Sequence, residues 1–559
     1  MSKYDRLSKE ELIRIIETLE KEIKHPQYGL VWENEREPEK IVSDCINHLP
    51  VLKRIKSKEI KTDDSEDNIL IEGDNYHALT VLNYTHKEKI DVIYIDPPYN
   101  TGKANEWKYN DKYINKEDGY RHSKWLNFME KRLKLAKELL KDDGVIFVSI
   151  DDHEFAQLKL LMDQIFGENN FVNTLIFKRA TKNLNNQFKR VKSLNQAFEY
   201  VLVYRKTDAF YYKNAYKETS SKRKEGYWTS FYNNADRPTM RYEIEGINID
   251  KGQWKWEKQR AFRALNNYKT YLKNYRNQYS LKEYWERYKD EYELKTGFKL
   301  EFLRKNNNSI QYWVLPKDKT LMDTNLMDYY INDNAGKSKY KFDTVKNLNA
   351  IKKLISIVST KDELILDFFA GSGTTGHAVL ELNKEDGGNR KFILVTNNEG
   401  NIATEICYPR LKNVMKGYRK NGSGEWVEGL GGNLRYFKTD FIKKTKNKNR
   451  VMTSFIRKAT DTLCAKENIY NLEKEGPDYK IFSSNKKDKF LCIYYNFTGD
   501  GFEAFLEELK KLNGKKIIYM FDIPKGTGKS LFPERDDVEV KPVPRELSEA
   551  YNRLLKNGY

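Results

Sequence analysis

Asp96-Pro97-Pro98-Tyr99 stands directly after the apolar run Asp91-Val-Ile-Tyr-Ile95. The run is rich in β-branched and aromatic residues and reads as a buried strand of a parallel sheet. Pro97 and Pro98 end it, because neither can donate to a sheet ladder. A carboxylate, a prolyl carbonyl and an aromatic ring are thereby held together at the carboxyl end of a strand, where open α/β sheets place their chemistry. Two acceptors beside a stacking face suit a flat heterocycle with an exocyclic amine, adenine foremost. The lone pair of such an amine is delocalised into the ring, so the nitrogen is a poor nucleophile. If the Asp96 carboxylate and the Pro97 carbonyl accept its two N–H bonds, the nitrogen is drawn toward tetrahedral geometry and the pair is freed, while Tyr99 holds the ring.

A second stretch, Gly371-Ser-Gly-Thr-Thr-Gly376, follows the predicted strand Glu363–Asp367 and opens a predicted helix, Thr375–Asn383. It fits the dinucleotide fingerprint, in which glycines admit a cofactor where a Cβ would block it. Glu399, after the next predicted strand Lys391–Val395, stands where a carboxylate would grip ribose hydroxyls. The loop alone allows a nicotinamide cofactor or S-adenosylmethionine. The Asp-Pro-Pro-Tyr cluster decides for the second, since a methyltransferase acting on an aromatic amine needs it and a nicotinamide enzyme does not. A base inside duplex DNA is out of reach and must be flipped out to enter such a corner.

The elements that must position these residues are legible as strand–helix alternation. Strands are predicted at Asn68–Glu72, Asp91–Ile95 and Gly144–Ser149, with a helix over His122–Leu140, which signals a parallel sheet with crossover helices. Ser8–Lys24 reads as an amphipathic helix with a capping box at Ser8 and Glu11. Lys58–Asn68 reads as a polar linker. From Lys444 onward, strands at Phe490–Tyr495 and Lys516–Phe521 flank a helix at Gly501–Leu512, a small separate α/β domain.

The 559 residues suffice for several domains, and the net charge of +18 favours a polyanionic partner. Residues 178–345 hold 35 Lys+Arg against 20 Asp+Glu, a net of +15. A lysine bias across the whole genome would spread this excess evenly. The same segment is crowded with aromatic residues, and basic grooves with aromatic platforms suit nucleic acid. Lys178, Arg179, Lys182, Tyr227, Trp228, Arg237, Trp254, Trp256 and Arg260 are the residues expected against DNA. Tyr268, Tyr271, Tyr275, Trp285 and Tyr288 approximate helical spacing and read as core. The four cysteines have no metal-ligand or disulfide spacing, and no metal is expected. The N-terminus has no apolar signal core and no run approaches membrane-spanning length, so a soluble protein of a reducing compartment is expected, and with DNA as partner a cytoplasmic, nucleoid-associated one. Gly526-Thr-Gly-Lys-Ser530 resembles the end of a P-loop but lacks the leading glycine.

The pair of motifs resembles the amino-methyltransferases that act on DNA. Their order, with Asp-Pro-Pro-Tyr about 270 residues ahead of the glycine loop and an insert between, is similar to the β group of that family. Further stretches resemble the modification (Mod) subunits of type III restriction–modification systems: Tyr28-Gly-Leu-Val-Trp32, Ile71-Glu-Gly-Asp-Asn75, His122-Ser-Lys-Trp-Leu-Asn-Phe-Met129, Phe147-Val-Ser-Ile-Asp-Asp152 and Asp367-Phe-Phe-Ala-Gly-Ser-Gly-Thr-Thr375. The resemblance implies a circularly permuted, Rossmann-like methyltransferase sheet divided as follows: an N-terminal helical region at 1–60, a first catalytic part at 61–178, a target recognition insert at 179–340, a second catalytic part at 341–440, and a small α/β domain at 441–559.

It also implies roles. Asp96, Pro97, Pro98 and Tyr99 would hold adenine N6, with Asp96 bordering the cofactor as well. Asp367, Phe369, Ala370, Gly371, Ser372, Gly373 and Thr374 would line the cofactor's methionine side. Asp74 would lie near its adenine or sugar, and Glu399 would take the ribose. The Pro-Lys pair common in the family is replaced by Phe342-Asp-Thr-Val-Lys346, leaving Lys346 to serve in the cofactor pocket. Asp rather than Ser at the head of the motif favours adenine N6 over cytosine N4. Duplex DNA, a second copy of the chain and a helicase–nuclease restriction subunit are the implied partners. Competing readings are a cytosine-N4 enzyme, a recognition subunit that mainly directs such a nuclease, an RNA or protein methylase, and, on the glycine loop alone, a nicotinamide oxidoreductase.

Overall fold

The computed structural model describes Ser8 and residues 39–103, 106–109, 112–179, 194, 196–332, 345–419, 424–442, 448–495, 501–521, 536–545 and 547–549. The remainder of the predicted helix Ser8–Lys24, as well as Lys182 and Gly526–Ser530, lies outside the described residues. The chain forms two compact units, one of Met1–Asn214 with Thr324–Tyr559 and the other of Ala215–Asp323.

The first unit is built on a ten-stranded mixed sheet. Its elements in chain order are α1 (Lys40–Asn47), β1 (Leu49–Arg54), β2 (Asp67–Glu72), α2 (Asn75–Thr85), β3 (Ile90–Ile95), α3 (Arg121–Leu139), β4 (Leu140–Ile150), α4 (Phe155–Phe166), β5 (Phe171–Lys178), β6 (Phe198–Arg205), β7 (Asn325–Tyr330), α5 (Leu348–Val358), β8 (Leu364–Asp367), α6 (Thr374–Asp386), β9 (Lys391–Thr396), α7 (Tyr408–Lys416) and β10 (Asn433–Ile442). The strand order is β1-β10-β2-β9-β8-β3-β4-β6-β5-β7. From β10 to β4 every neighbour is parallel, which requires crossover connections and accounts for the helices between strands. β6 is antiparallel to both β4 and β5.

The glycine-loop strand β8 lies directly beside β3, with Ile365 opposite Val92 and Leu366 opposite Ile93. The carboxyl ends of the two strands therefore open on the same edge of the sheet, although the chain between them is long. Both strands are buried nearly throughout, in keeping with their continuous apolar runs.

The structure corrects three expected boundaries. β6 and β7 were expected inside the insert, yet both belong to the main sheet, so the second unit is narrower than 179–340. Phe198-Glu-Tyr-Val-Leu-Val-Tyr-Arg205 is an alternating strand sequence, which the surrounding Lys/Asn-rich segment conceals. Residues 58–68 are also no free linker: Ile60 is buried and bridged to Leu434, and Glu59 pairs with Arg54 and Arg435. Finally, the C-terminal segment is continuous with the first unit. It has its own five-stranded sheet, β11 (Asn471–Glu475), β12 (Tyr479–Ser483), β13 (Lys489–Tyr494), β14 (Lys515–Met520) and β15 (Val538–Lys541), with a helix at Phe502–Lys511. Tyr470, Leu491, Ile493 and Tyr519 nevertheless share one apolar core with Val51, Leu79 and Phe437. Core continuity of this kind is visible only in three dimensions.

The second unit has a three-stranded sheet of Tyr227–Ser230, Leu303–Asn306 and Ser309–Val314, and two helices, Lys258–Asn274 and Leu281–Thr296. The second helix begins with a complete capping box between Ser280 and Glu283.

Candidate active site

Asp96 emerges one residue past β3 with its two oxygens in different surroundings. Oδ1 accepts a hydrogen bond from the Tyr99 hydroxyl at 2.9 Å and lies 3.0 Å from the Lys346 ammonium. Oδ2 takes no hydrogen bond among the described residues. Burial pushes the Asp96 carboxyl above its ordinary value, and Lys346 pulls it part of the way back. Burial, then the charges of Asp96 and Glu199, hold the Tyr99 hydroxyl well above the ordinary phenol value, so it stays protonated. The prolyl corner is braced from behind, since the Trp125 indole donates to the Pro98 carbonyl at 2.7 Å. The Pro97 carbonyl takes no hydrogen bond among the described residues, so this corner offers two free acceptors, Asp96 Oδ2 and Pro97 O.

Lys346, expected in the cofactor pocket, stands at the Asp96 corner, which is expected to border the cofactor. It donates to the Tyr99 hydroxyl at 2.7 Å and to Glu199 Oε2 at 3.2 Å, and lies 5.0 Å from the centre of the Tyr99 ring. Burial alone would lower its pKa; Asp96 and Glu199 together reverse this into an increase. Glu199, on β6, went unnoticed in the sequence. The one signal available was a carboxylate inside an otherwise apolar, aromatic strand, where a charge needs a partner.

The glycine loop is shaped from below. Gly371 and Gly373 have φ of 48° and 77°, where a side chain would be strained, and a Cβ on Gly373 would meet Cys407 Sγ at 2.9 Å. Asp367, at the end of β8, accepts from the Phe369 amide at 3.0 Å and the Thr375 hydroxyl at 2.5 Å. Burial raises its carboxyl to about 7 against the pull of those donors. The Ser372 and Thr374 hydroxyls are buried and turned onto Arg410, at 3.0 and 2.7 Å. They set the shape of the loop, with Ala370 anchored by its amide to the Val395 carbonyl at 3.0 Å.

Two further expected cofactor residues flank this loop. Asp74 caps α2, accepting from the Tyr76 amide at 2.7 Å, and lies 3.5 Å from the buried Arg132 guanidinium. The next residue, Asn75, donates to the Phe368 carbonyl at 3.2 Å and so ties α2 to the loop. Phe369 packs on Phe128, whose ring in turn carries Arg132. Glu399 is held by Lys108 at 2.5 Å and Tyr113 at 2.8 Å, both from the hairpin Lys108–Tyr109/Lys112–Tyr113. A ribose would compete with those two groups for the carboxylate.

The family profile described as "DNA methylase" matches residues 90–406, more than half of the chain. The chain belongs to this DNA methylase family. It is 34% identical over 368 residues to the Mod subunit of the type III restriction-modification enzyme StyLTI of Salmonella typhimurium, covering 59% of this chain and 52% of that protein. It is 32% identical to the type II methyltransferase M.KpnI of Klebsiella pneumoniae, over 65% of this chain and 87% of that protein. It is 29% identical to the EcoPI Mod subunit of Escherichia phage P1, over 71% and 68%. The chain thus spans about half the length of the Salmonella relative.

Of the aromatic residues expected against DNA, Trp254 is buried, while Tyr227, Trp228 and Trp256 are half-buried. Trp254 is 2% exposed, stacks on Phe231 and donates to the Tyr242 carbonyl at 2.7 Å. Trp256 packs on Phe231 and Tyr312, and Trp228 on Tyr268 and beneath Arg304. Arg260 is spent on a bidentate pair with Glu301 at 2.6 and 2.8 Å. A 13% aromatic chain must bury many of its rings, and at Trp254 burial won over display. Of Tyr268, Tyr271, Tyr275, Trp285 and Tyr288, read as core from their spacing, Tyr271 is buried and the other four are partly buried and packed against the same apolar cluster. Arg237 and Lys178 remain exposed, and Tyr227 is half-buried beneath Lys222. Arg179 is drawn inward to Glu199 at 3.3 Å.

A buried carboxylate beside the prolyl corner yields a pH prediction. Glu154 accepts from Asn100 at 2.5 Å and lies 2.6 Å from His122 Nδ1. Burial raises its carboxyl to about 7, against the Asn100 hydrogen bond. The folded protein then binds a proton here that the unfolded chain has released, so stability falls as pH rises from about 4.5 to 7. Glu154→Gln is expected to reduce that fall, read as a smaller difference between melting temperatures at pH 5 and pH 8. An unchanged difference would contradict the assignment.

Proposed function

We propose that this chain is a site-specific DNA methyltransferase that acts on adenine N6 in duplex DNA, with S-adenosylmethionine as methyl donor. The observation that carries the reading is the pair of free acceptors, Asp96 Oδ2 and Pro97 O, at the mouth of a sheet whose neighbouring strand ends in the glycine loop. Asp96 and Pro97 accept the two amino hydrogens of the flipped base, Tyr99 stacks on its ring, and Lys346 favours the ionised form of Asp96 against its burial. The fit of the cofactor rests on the donor set of the loop: glycines at positive φ, the buried carboxylate of Asp367, the face of Phe369, and the carboxylates of Asp74 and Glu399. S-adenosylmethionine brings its own leaving group, so alignment and charge placement are what the protein supplies.

The unit Ala215–Asp323 holds 23 Lys+Arg against 15 Asp+Glu, a net of +8, and we assign it target recognition. Lys178, Arg179 and Lys182 open a run with Lys189, Arg190 and Lys192 that contains no acidic residue, which suits the phosphate backbone. Resemblance to Mod subunits supports a homodimer that directs a helicase–nuclease partner in the bacterial or archaeal cytosol, at the nucleoid. The match over most of M.KpnI favours a second arrangement, a methylase working without such a partner. No described helix is long and apolar enough to cross a membrane.

Expression in a methylation-free host, followed by single-molecule sequencing of its DNA, tests the reading. N6-methyladenine within one short sequence is the expected result. N4-methylcytosine would transfer the chemistry to the other amine, and an unmodified genome with labelled RNA or protein would overturn the DNA assignment.

A further inference from the structure

The Lys346 ammonium has three N–H donors and three acceptors around it: Tyr99 Oη at 2.7 Å, Asp96 Oδ1 at 3.0 Å and Glu199 Oε2 at 3.2 Å. Two of these belong to the motif that meets the substrate. The third comes from β6, which is separated from β3 by β4. Glu199 is itself 2% exposed and fixed at its second oxygen by Asn332 at 2.8 Å and Arg179 at 3.3 Å. Its Oε2 also lies 3.3 Å from the Tyr99 hydroxyl. A buried carboxylate is costly unless paired, so its presence one contact away from the reacting corner calls for a reason.

We propose that Glu199 is a positioning residue of the methyl-transfer corner: by sharing Lys346 with Asp96 it keeps the ammonium on Oδ1 and leaves Oδ2 open to the substrate's amino group. Two anions compete for one cation. With both present, the ammonium sits between them and each carboxylate retains an unclaimed or separately held oxygen. Without the Glu199 charge, Asp96 is the only anion bonded to Lys346, and the ammonium closes onto it. The atom then masked is the one that must accept from the amine. Without Lys346 instead, Asp96 stands buried and faces the Glu199 charge alone. The other titratable groups that bear on Asp96 are Tyr94 and Tyr99, both held protonated, and Asp367 at the neighbouring strand end. Arg179 faces Glu199 from the start of the basic segment.

This assignment rests on the function proposed above, and single-turnover methyl transfer to a duplex carrying the identified site separates the two. Transfer by the unmodified protein establishes the reaction; its absence would overturn both. Glu199→Gln is expected to lower kcat about 10- to 100-fold with KM for DNA little changed. Glu199→Asp, which restores the charge, is expected to recover part of the loss. Lys346→Met is expected to move the acid limb of the pH–rate profile upward, so that transfer recovers as pH rises. Adding Glu199→Gln to Lys346→Met is expected to move that limb back by about one pH unit, because the repelling charge is gone. The double variant should then be no slower than Lys346→Met alone, a non-multiplicative result. A residue with only a structural role would lower the melting temperature while the two losses multiplied and the acid limb stayed in place. That outcome, or wild-type kcat in Glu199→Gln, would overturn the proposal and leave the reaction standing.

Discussion

Asp96→Ala is expected to abolish methyl transfer, a loss on the order of 10³-fold or more in kcat. The alanine removes the one side-chain acceptor at the corner, and a single carbonyl, Pro97 O, cannot capture both amino hydrogens. The fold is expected to persist, because Lys346 keeps Glu199 as a counter-ion at 3.2 Å and the Tyr99 hydroxyl keeps both as partners. Cofactor affinity is expected to change little, since the glycine loop and Asp367 are untouched. The two readouts must therefore part company: transfer measured with labelled methyl donor disappears, while binding of the donor, measured by calorimetry, stays. Turnover near the wild-type rate would remove Asp96 from the chemistry. Asp96→Asn is a stricter variant, since it keeps the shape and forfeits the charge that Lys346 pairs with. It is expected to be nearly as impaired, because its amide offers one acceptor, the position that Tyr99 and Lys346 already claim, and presents N–H bonds to an amine.

Arg132→Met is expected to cost about 3–5 kcal/mol of stability, the range found when one partner of a buried ion pair is removed. Arg132 is fully buried in α3. It pairs with Glu39 at 2.7 Å, donates to Asn75 at 2.5 Å and to the Phe128 carbonyl at 2.9 Å, and lies 3.5 Å from Asp74. Burial alone would lower its pKa, and Asp74 and Glu39 together hold it above the ordinary guanidinium value. The methionine fills most of the volume but leaves the Glu39 carboxylate buried without its cation. Glu39→Gln in the same chain is expected to recover a large part of the loss, because the stranded charge is then gone. Denaturant midpoints of the two single variants and the double measure this directly. Additive losses would mean that the two side chains do not act as a pair. Since Asn75 also holds the Phe368 carbonyl, weaker binding of the methyl donor is expected to accompany the lost stability.

The elements that carry the chemistry were legible because they follow one-dimensional rules. The expected strand Asp91–Ile95 is observed as Ile90–Ile95, and the expected helix His122–Leu140 as Arg121–Leu139. Both have the unbroken apolar run or the 3.6-residue period that a buried strand or a packed helix demands. The glycine loop was equally readable, since only glycine tolerates the backbone at Gly371 and Gly373. The tryptophans expected against DNA in the inserted unit were not. A tryptophan in a basic segment is compatible with a stacking platform or a core, and Trp254 settled in the core because its indole found the Tyr242 carbonyl there. Arg260 likewise looked free until Glu301, 41 residues away, took its charge.

The sequence by itself determined the α/β class and the two motifs, because apolar period, proline stops and glycine spacing are local properties of the chain; the order of the motifs and their flanking stretches carried the resemblance to DNA methylases. Only the tertiary structure decided that Lys346 serves the Asp96 corner and that Glu199 shares it. These are contacts across 250 positions, from Asp96 to Lys346, and 147 positions, from Glu199 to Lys346, and the sequence around a charged residue does not say which group it pairs with. The physical reason is that charge is satisfied in space: which buried carboxylate neutralises which ammonium depends on which elements the fold brings together, not on their order in the chain.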